Sequence, residues 1–351
     1  MRKFTIIIVL SFLVFAGCTT DPSQQKINNT KQKKVDIKKP MSWGHKQTIY
    51  VFADDNVWKY AEQHLRDTLE RYYFTTENEP YFEVKRAPLD KLEQFYKFNN
   101  LIFLADLESS APVSAYVKSI MGGAIEAEIA ENKVGMYPKE NIWARDQFVL
   151  FLIGNNERNL LSLNISMAEE TFQQFKQKLY ERISFLTYKS KTYLKSTFNN
   201  YTWEMDIPKT YTVYKQDDKN NFISFLARLR NKPDRYISIY SEDMVEDKVN
   251  DDWLKEKRRE LAWKYYDEDE YFDKDVRTQP YEIGKKQGWK LSGRWQNKKY
   301  AVGGAFQSFA FYDEIGKKAY LIDNSIYFPE GFKLAGLIET EVISQTIKIK
   351  N

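Results

Sequence analysis

The chain has 351 residues and a formal net charge of +4, which falls to +2 once Arg2 and Lys3 leave with a leader, so no global field argues for nucleic acid as a partner. A hydrophobic share of 42% and an aromatic share of 16% are ample for a large core, and the length fits two domains or one large one. Cys18 is the sole cysteine and His45 and His64 are the only histidines; this excludes an intramolecular disulfide and leaves little for a histidine-based metal centre.

Met1–Cys18 reads as a lipoprotein signal: Arg2 and Lys3, an apolar run from Phe4 to Phe15 broken only by Thr5 and Ser11, then Ala16-Gly17 before the cysteine. The run is too short to span about 30 Å of hydrocarbon as a permanent helix, so cleavage after residue 17 is expected. Cys18 then becomes the lipid-bearing N-terminus, and the membrane is the first expected partner. The expected location is the cell envelope, lipid-anchored at the outer membrane and facing the periplasm, because only Asp21 follows the cysteine where an export signal would need an acidic run. Residues 18–47 read as a flexible tether, with Lys26, Lys31, Lys33, Lys34, Lys38 and Lys39 against Asp21 and Asp36.

An N-terminal domain is expected over residues 48–190. Ile49–Phe52 and Leu101–Leu104 are strand-length apolar runs, Tyr81–Lys85 is a further strand, and Phe148–Ile153 is a central strand covered on both faces. Asp54 and Asp55 are candidate caps for a helix carrying Trp58, Ala61, Leu65, Leu69 and Tyr72. Asp90–Phe98 reads as a short helix. A helix over Ser114–Met121 should end at Gly122-Gly123, the second glycine taking positive φ. Ser166-Met167-Ala168-Glu169 matches a capping box that opens a helix with Phe172, Phe175, Leu179, Ile183 and Leu186 in one stripe.

Tyr188–Asn200 is polar and basic without periodicity and marks a long connection. A C-terminal domain is expected over residues 201–351, built as a meander: Thr202–Ile207, Tyr211–Tyr214, Phe222–Leu229, Tyr236–Tyr240, Gly288–Arg294, Tyr300–Tyr312 and Ala319–Phe328. One helix near Asp252–Tyr266 interrupts it, and a closing helix carries Leu334, Leu337, Ile338 and Val342. The expected fold class is therefore α+β, an N-terminal α/β part with helices packed on a sheet and a C-terminal antiparallel sheet backed by helices.

Several short motifs together resemble an uncharacterised family of Gram-negative bacterial lipoproteins known only as a domain of unknown function. They are Glu79-Pro80-Tyr81-Phe82, Trp143-Ala144-Arg145-Asp146-Gln147, Arg277-Thr278-Gln279-Pro280, Trp289 through Arg294-Trp295, Gly303-Gly304-Ala305-Phe306 and Ile326-Tyr327-Phe328-Pro329. The resemblance implies a two-part lipidated envelope protein and no established activity.

No Gly-x-Ser-x-Gly elbow and no phosphate-cradling glycine loop occurs. The acidic segment Asp267–Asp275 lacks the central glycine and terminal glutamate of a calcium loop, so a solvated loop is expected. No catalytic residue, metal or cofactor is assigned. Two ligand-binding constellations stand out. Arg145, Arg277 and Arg294 present planar guanidinium donors suited to an anionic group, if they converge; stacking on Trp143 and Trp295, or bridging the two halves, is the simpler role. Trp289 and Trp295, near Tyr300 and Gly303-Gly304, are the candidates for stacking on sugar rings, against core packing. The expected function is a non-enzymatic accessory or binding component with an envelope protein, peptide or glycan as partner. The alternatives are a hydrolase using carboxylates such as Asp54 and Asp55, or a glycan-binding module using Trp289 and Trp295.

Overall fold

Consecutive apolar residues build the first sheet of a computed structural model that describes residues 39–350. The signal, Cys18 and the tether up to Lys38 lie outside the described residues. Chain order is β1 (Thr48–Phe52), α1 (Asp55–Leu69), the hairpin β2 (Tyr72–Phe74) and β3 (Asn78–Pro80), then β4 (Glu83–Arg86), α2 (Leu92–Phe95), β5 (Asn100–Asp106), α3 (Pro112–Ile120), α4 (Gly123–Asn132), β6 (Val134–Glu140), β7 (Phe148–Gly154), α5 (Glu157–Ser166) and α6 (Ala168–Thr187). The sheet order is β4-β1-β5-β7-β6, parallel except for β6 at one edge. All of β5 and β7 is buried, because α1, α5 and α6 pack on one face while α3 and α4 pack on the other.

The second half contributes β8 (Trp203–Glu204), β9 (Thr212–Asp217), β10 (Phe222–Ala227), β11 (Asp234–Asp243), α7 (Asp251–Tyr265), β12 (Val276–Ile283), β13 (Lys286–Asn297), β14 (Val302–Asp313), β15 (Lys318–Tyr327), α8 (Leu334–Ser344) and β16 (Lys348–Ile349). Seven of these strands form an antiparallel sheet in the order β12-β13-β14-β15-β11-β10-β9. Alternate residues face opposite sides. Leu291, Phe306, Ala310 and Leu321 meet α7, whereas Ile237, Phe309, Phe311 and Ile322 share a core with Ile343 of α8. The molecule is α+β, with the α/β half first and the antiparallel half second.

Helix α8 belongs to both cores. Leu334 and Ile338 enter the first half's core, and Leu337 packs on Ala305 and Ile326 of the second sheet. Its first turn is capped from the other half: the buried Glu79 carboxylate accepts from Lys333 N at 2.8 Å and Leu334 N at 2.7 Å. The Glu-Pro-Tyr-Phe motif thus acts as a clasp between halves.

Local expectations differ in instructive places. Asp54 caps a helix, but α3 and not α1: its carboxylate accepts from Val113 N, Ser114 N and Ser114 Oγ, because the parallel strands β1 and β5 bring their C-terminal ends side by side. Gly122 and Gly123 do not turn left-handed; Gly122 (φ −78°) precedes α4, which the sequence reading does not anticipate, and Lys133 (φ 67°) makes the turn that ends it. No capping box forms at Ser166, whose hydroxyl donates back to Leu163 O while Met167 joins α5 to α6. The stripe from Phe172 to Ile183 is buried as expected, and Leu186 is exposed.

Candidate functional site

Helix α7 defines an aromatic cleft by where it stops. Asn250 caps its start, accepting from Trp253 N at 2.9 Å, and Leu254, Leu261 and Ala262 seat it on the sheet. Beyond Tyr265, Asp267 (φ 55°) and Glu268 (φ 68°) take left-handed backbone and reverse the chain. Two backbone bonds of 2.9 Å between Glu270 and Gln296 then fasten the loop to β13. The middle of the acidic segment, Asp269 and Glu270, is therefore held against the sheet by the backbone bridge, while Asp267, Glu268 and Asp273 are exposed as a solvated loop would leave them.

Past the end of the helix the sheet is uncovered, leaving a cleft of about 280 Å³. Trp295, Ser325, Tyr327, Tyr236 and Tyr214 line it from the strands, Tyr265 and Tyr266 from the helix end, and Asn297, Tyr300 and Val302 from the β13–β14 turn. Lys215, Arg228, Asp267 and Asp269 complete it. Seven of its fourteen lining residues are aromatic. Tyr265 is fixed by stacking on Phe222 at 3.8 Å and by donating to Asp217 at 2.7 Å; Tyr214 meets Tyr236 edge-on at 5.6 Å.

Trp295 is 7% exposed, and its Nε1–H is buried without an acceptor. Gly304 makes room for it: a Cβ there would lie 2.8 Å from Nε1 and 2.0 Å from Ile326 O. The space left by Gly303-Gly304 is thus filled by the chain's own indole and neighbouring strand. Asn297 Nδ2 donates to Asp269 Oδ1 at 2.8 Å. Burial pushes the Asp269 carboxyl up to about 6, against that hydrogen bond and the charge of Arg258.

Beneath the cleft lies a group of buried polar side chains. Arg258, completely buried, reaches Asp323 Oδ1 from Nε at 3.4 Å and stacks on Phe306 at 3.8 Å, but neither Nη has a partner. Asp323 Oδ2 is also unpaired. The Tyr266 hydroxyl is set against Asp323 and Ser238 without a well-formed hydrogen bond, and burial holds it well above the ordinary tyrosine range.

The sequence candidates are distributed as follows. Trp295 and Tyr300 meet at the cleft; Trp289 shares their strand face but packs half-buried in the core under α7. Arg277 and Arg294 are diagonal neighbours on adjacent strands, since Arg277 pairs with Ser292, and both are exposed. Arg294 binds Asp275 at 2.9 Å. Arg145 belongs to the first sheet's β6–β7 loop, where its backbone bonds to Pro40 and Ser42, and none of the three arginines lines this cleft. The residues the sequence did not single out are Tyr236, Tyr266 and Asn297; Tyr327 lay in a noted motif and Asp269 in the noted acidic segment.

A larger cleft of about 530 Å³ runs along the seam between halves, lined by His45, Ile183, Leu186, Arg235 and Glu339 among others. Its charged groups already serve each other, with Arg235 on Glu339 at 2.8 Å and Tyr211 on Glu339 at 2.9 Å. The smaller cleft is the aromatic one; buried atoms without partners occur at both, Tyr266 OH and Trp295 Nε1 here and Arg235 Nε at the larger. Asp54, as a cap, and Asp55, paired with Arg86 at 2.5 Å, do not form a carboxylate pair in either cleft. His45 and His64 are both exposed, and among the described residues no group of three or more His, Cys, Asp or Glu side chains is placed to hold a metal ion. Among the same residues, no helix is long and apolar enough to cross a membrane.

Two family models match the chain, both described as domains of unknown function: DUF8532 over residues 42–185 and DUF4837 over residues 189–346. Their junction falls at the end of α6. No curated protein matches. Among solved structures, one from Bacteroides thetaiotaomicron is similar at 11% identity and a TM-score of 0.28, with 46% of this chain and 49% of that one covered. The chain therefore spans about half the length of that relative. The Saccharomyces cerevisiae Ran-binding protein Mog1p is similar at 9% identity and a TM-score of 0.29, covering 42% of this chain and 90% of that one. LpqN of Mycobacterium tuberculosis, involved in cell envelope biogenesis, is similar at 9% and 0.26, covering 42% and 83%.

Proposed function

We propose that this protein is a lipid-anchored, non-enzymatic binding component of the cell envelope, and that its α7 cleft takes one sugar ring of a glycan. The observation that carries the reading is the cleft itself: seven aromatic side chains around about 280 Å³, with a paired Asp269–Asn297 on its walls. Aromatic faces stack on the C–H faces of a pyranose, while a carboxylate and an amide exchange hydrogen bonds with its hydroxyls. A volume near the lower end of small-molecule sites, roughly 300 Å³, suits one ring and not a long chain. The Met1–Cys18 signal supports the lipid anchor, and the lack of an acidic run after Cys18 supports an outer-membrane, periplasm-facing placement.

The test is a glycan array probed with the mature protein and with Trp295→Ala, the variant's fold checked by circular dichroism. Glycan binding that disappears in the variant is expected; a wild-type protein that binds no glycan, or a variant that still does, overturns the reading. Mass spectrometry of protein from its native host should find residues 1–17 removed and Cys18 acylated. One observation favours a hydrolase as a second reading: Asp269, half-neutral near pH 6, has the proton affinity of a general acid. Release of reducing ends from a bound glycan, lost in Asp269→Asn, would move the protein to that class.

A further inference from the structure

We infer that the body has a membrane-facing side, centred on Met41 and Trp43, that rests on an anionic phospholipid surface. Residues 39–47, the last of the segment assigned to the tether, run along the first half. Met41 bridges to Arg145 and Trp43 to Phe98 in strand-like fashion, which directs both side chains outward while Ser42 between them turns in to donate to Asn99 Oδ1 at 2.7 Å. Met41 is 49% exposed and Trp43 57%, large apolar side chains left in water two residues apart. Exposed apolar surface of this kind marks an interaction site.

The surroundings fit a lipid interface. Trp43 stacks on Phe98 at 4.8 Å, and Tyr96 meets Trp143 at 6.4 Å in the adjoining loops, which Gln147 ties together through Tyr96 O, Phe98 O and Trp143 N. Lys97 lies 5.0 Å over the Tyr96 ring, and the half-buried Arg145 stands beside Met41. The nearby acid, Asp146, is turned to the buried Arg182 at 3.3 Å. Aromatic rings with basic side chains are the composition of a headgroup-level belt.

Chain length chooses the occupant. Cys18 precedes Lys39 by 21 residues, which extend to no more than roughly 70 Å, and the chain reaches the body at this face. Lys26, Lys31, Lys33, Lys34 and Lys38 lie along the way. An acyl anchor therefore draws this side, and not the α7 cleft's own loops, toward the bilayer. The inference rests on the proposed lipid anchor for its choice of a bilayer as partner.

The experiment uses the full mature chain from residue 18 with Cys18→Ala, so that no acyl chain contributes, and sediments it with vesicles of phosphatidylglycerol and phosphatidylethanolamine or of phosphatidylcholine alone. Binding to the anionic vesicles is expected, falling roughly tenfold in Met41→Ser/Trp43→Ser at an unchanged melting temperature. A second arm keeps Trp43 in place: on the Cys18→Ala background, a nitroxide attached through Met41→Cys should become shielded from aqueous relaxant by vesicles, whereas one attached through His64→Cys should not. Equal binding by the double variant, no binding to anionic vesicles, or a label at residue 41 that stays in water overturns the inference. So does a dimer in sedimentation velocity that the double variant abolishes, which would assign the face to a second copy. Acylation of Cys18 is read separately by mass spectrometry, so failure of the anchor and failure of the face are distinguishable.

Discussion

The second half buries two ion pairs on opposite sides of one sheet, and they are built to different standards. On the α8 side, Glu341 accepts from Lys290 at 2.8 Å and from the hydroxyls of Tyr281 at 2.5 Å and Tyr180 at 3.4 Å. Burial alone would lower the Lys290 ammonium and raise the Glu341 carboxyl, but their mutual attraction outweighs it in both, leaving the lysine above and the glutamate below its ordinary value. On the α7 side, Arg258 and Asp323 are at least as deeply buried, yet three of their polar atoms have no partner. A satisfied network can act as a clasp, and Tyr180 of α6 shows that this one joins the two halves. An incompletely satisfied one leaves hydrogen-bonding capacity unused, and here it lies next to the aromatic cleft.

The largest expected effect breaks the clasp. Lys290→Met leaves the Glu341 carboxylate buried without its cation and should cost about 3–5 kcal/mol, read as a fall in urea midpoint at constant slope. Because Glu341 is held below its unfolded value, its share of stability is present above the ordinary carboxylate range and is lost as pH falls through it. Because Lys290 is held above, its share is present below the ordinary lysine range and is lost as pH rises through and past it. A variant as stable as wild type would show that α8 needs no such clasp.

The comparison sharpens when each pair is removed whole. Arg258→Met/Asp323→Leu deletes the unpaired atoms along with the ions, strands only the buried Ser308 hydroxyl that donates to Asp323, and should be close to neutral in thermal unfolding. Lys290→Met/Glu341→Leu strands the Tyr281 and Tyr180 hydroxyls and should remain destabilising, by about 1–3 kcal/mol. Equal losses in the two double variants would erase the distinction between the sites.

What could be read from sequence divides along the range of the interactions. Ile49–Phe52, Leu101–Leu104 and Phe148–Ile153 were legible as strands because consecutive apolar residues need cover on both faces, and the run from Phe172 to Ile183 carried its helical spacing openly. Helix α4 was hidden because Gly122-Gly123 signals a stop wherever it stands, although here the pair precedes a start. The site was less legible. Trp289 and Trp295, six residues apart on one strand, share a face by parity, but no local pattern decides that Trp295 is the more deeply buried of the two and still borders the cleft. Arg277 and Arg294 become neighbours through the β12–β13 register, and Arg145 is left in the other sheet; no local pattern encodes either outcome. Asp269 looked like one charge in a solvated run, because the Glu270–Gln296 bridge that pins it joins positions far apart in sequence.

Asp269 gives the smallest and most specific handle on the unsatisfied side. Its carboxyl titrates near 6 in the folded protein and near 3.9 when unfolded, so folding favours the protonated form. Below about pH 4 the group is neutral in both states and costs nothing; between about pH 4 and 6 the cost accumulates as pH rises, and above 6 it is complete. Asp269→Asn, which keeps an oxygen for Asn297, should therefore match wild type at about pH 4 and exceed it by about 1 kcal/mol at pH 7, the figure being reduced for the water that enters an open cleft. Melting temperatures of the two proteins at several pH values across that window check it, and a constant difference would show that burial does not govern this carboxyl. Glycan binding should respond in the opposite sense: an ionised Asp269 is the stronger acceptor for a sugar hydroxyl, so affinity should rise with pH through 6 in wild type and stay level in the variant. The same group would then weaken the fold and strengthen the ligand's hold over one pH interval, which neither member of the Lys290–Glu341 pair can do.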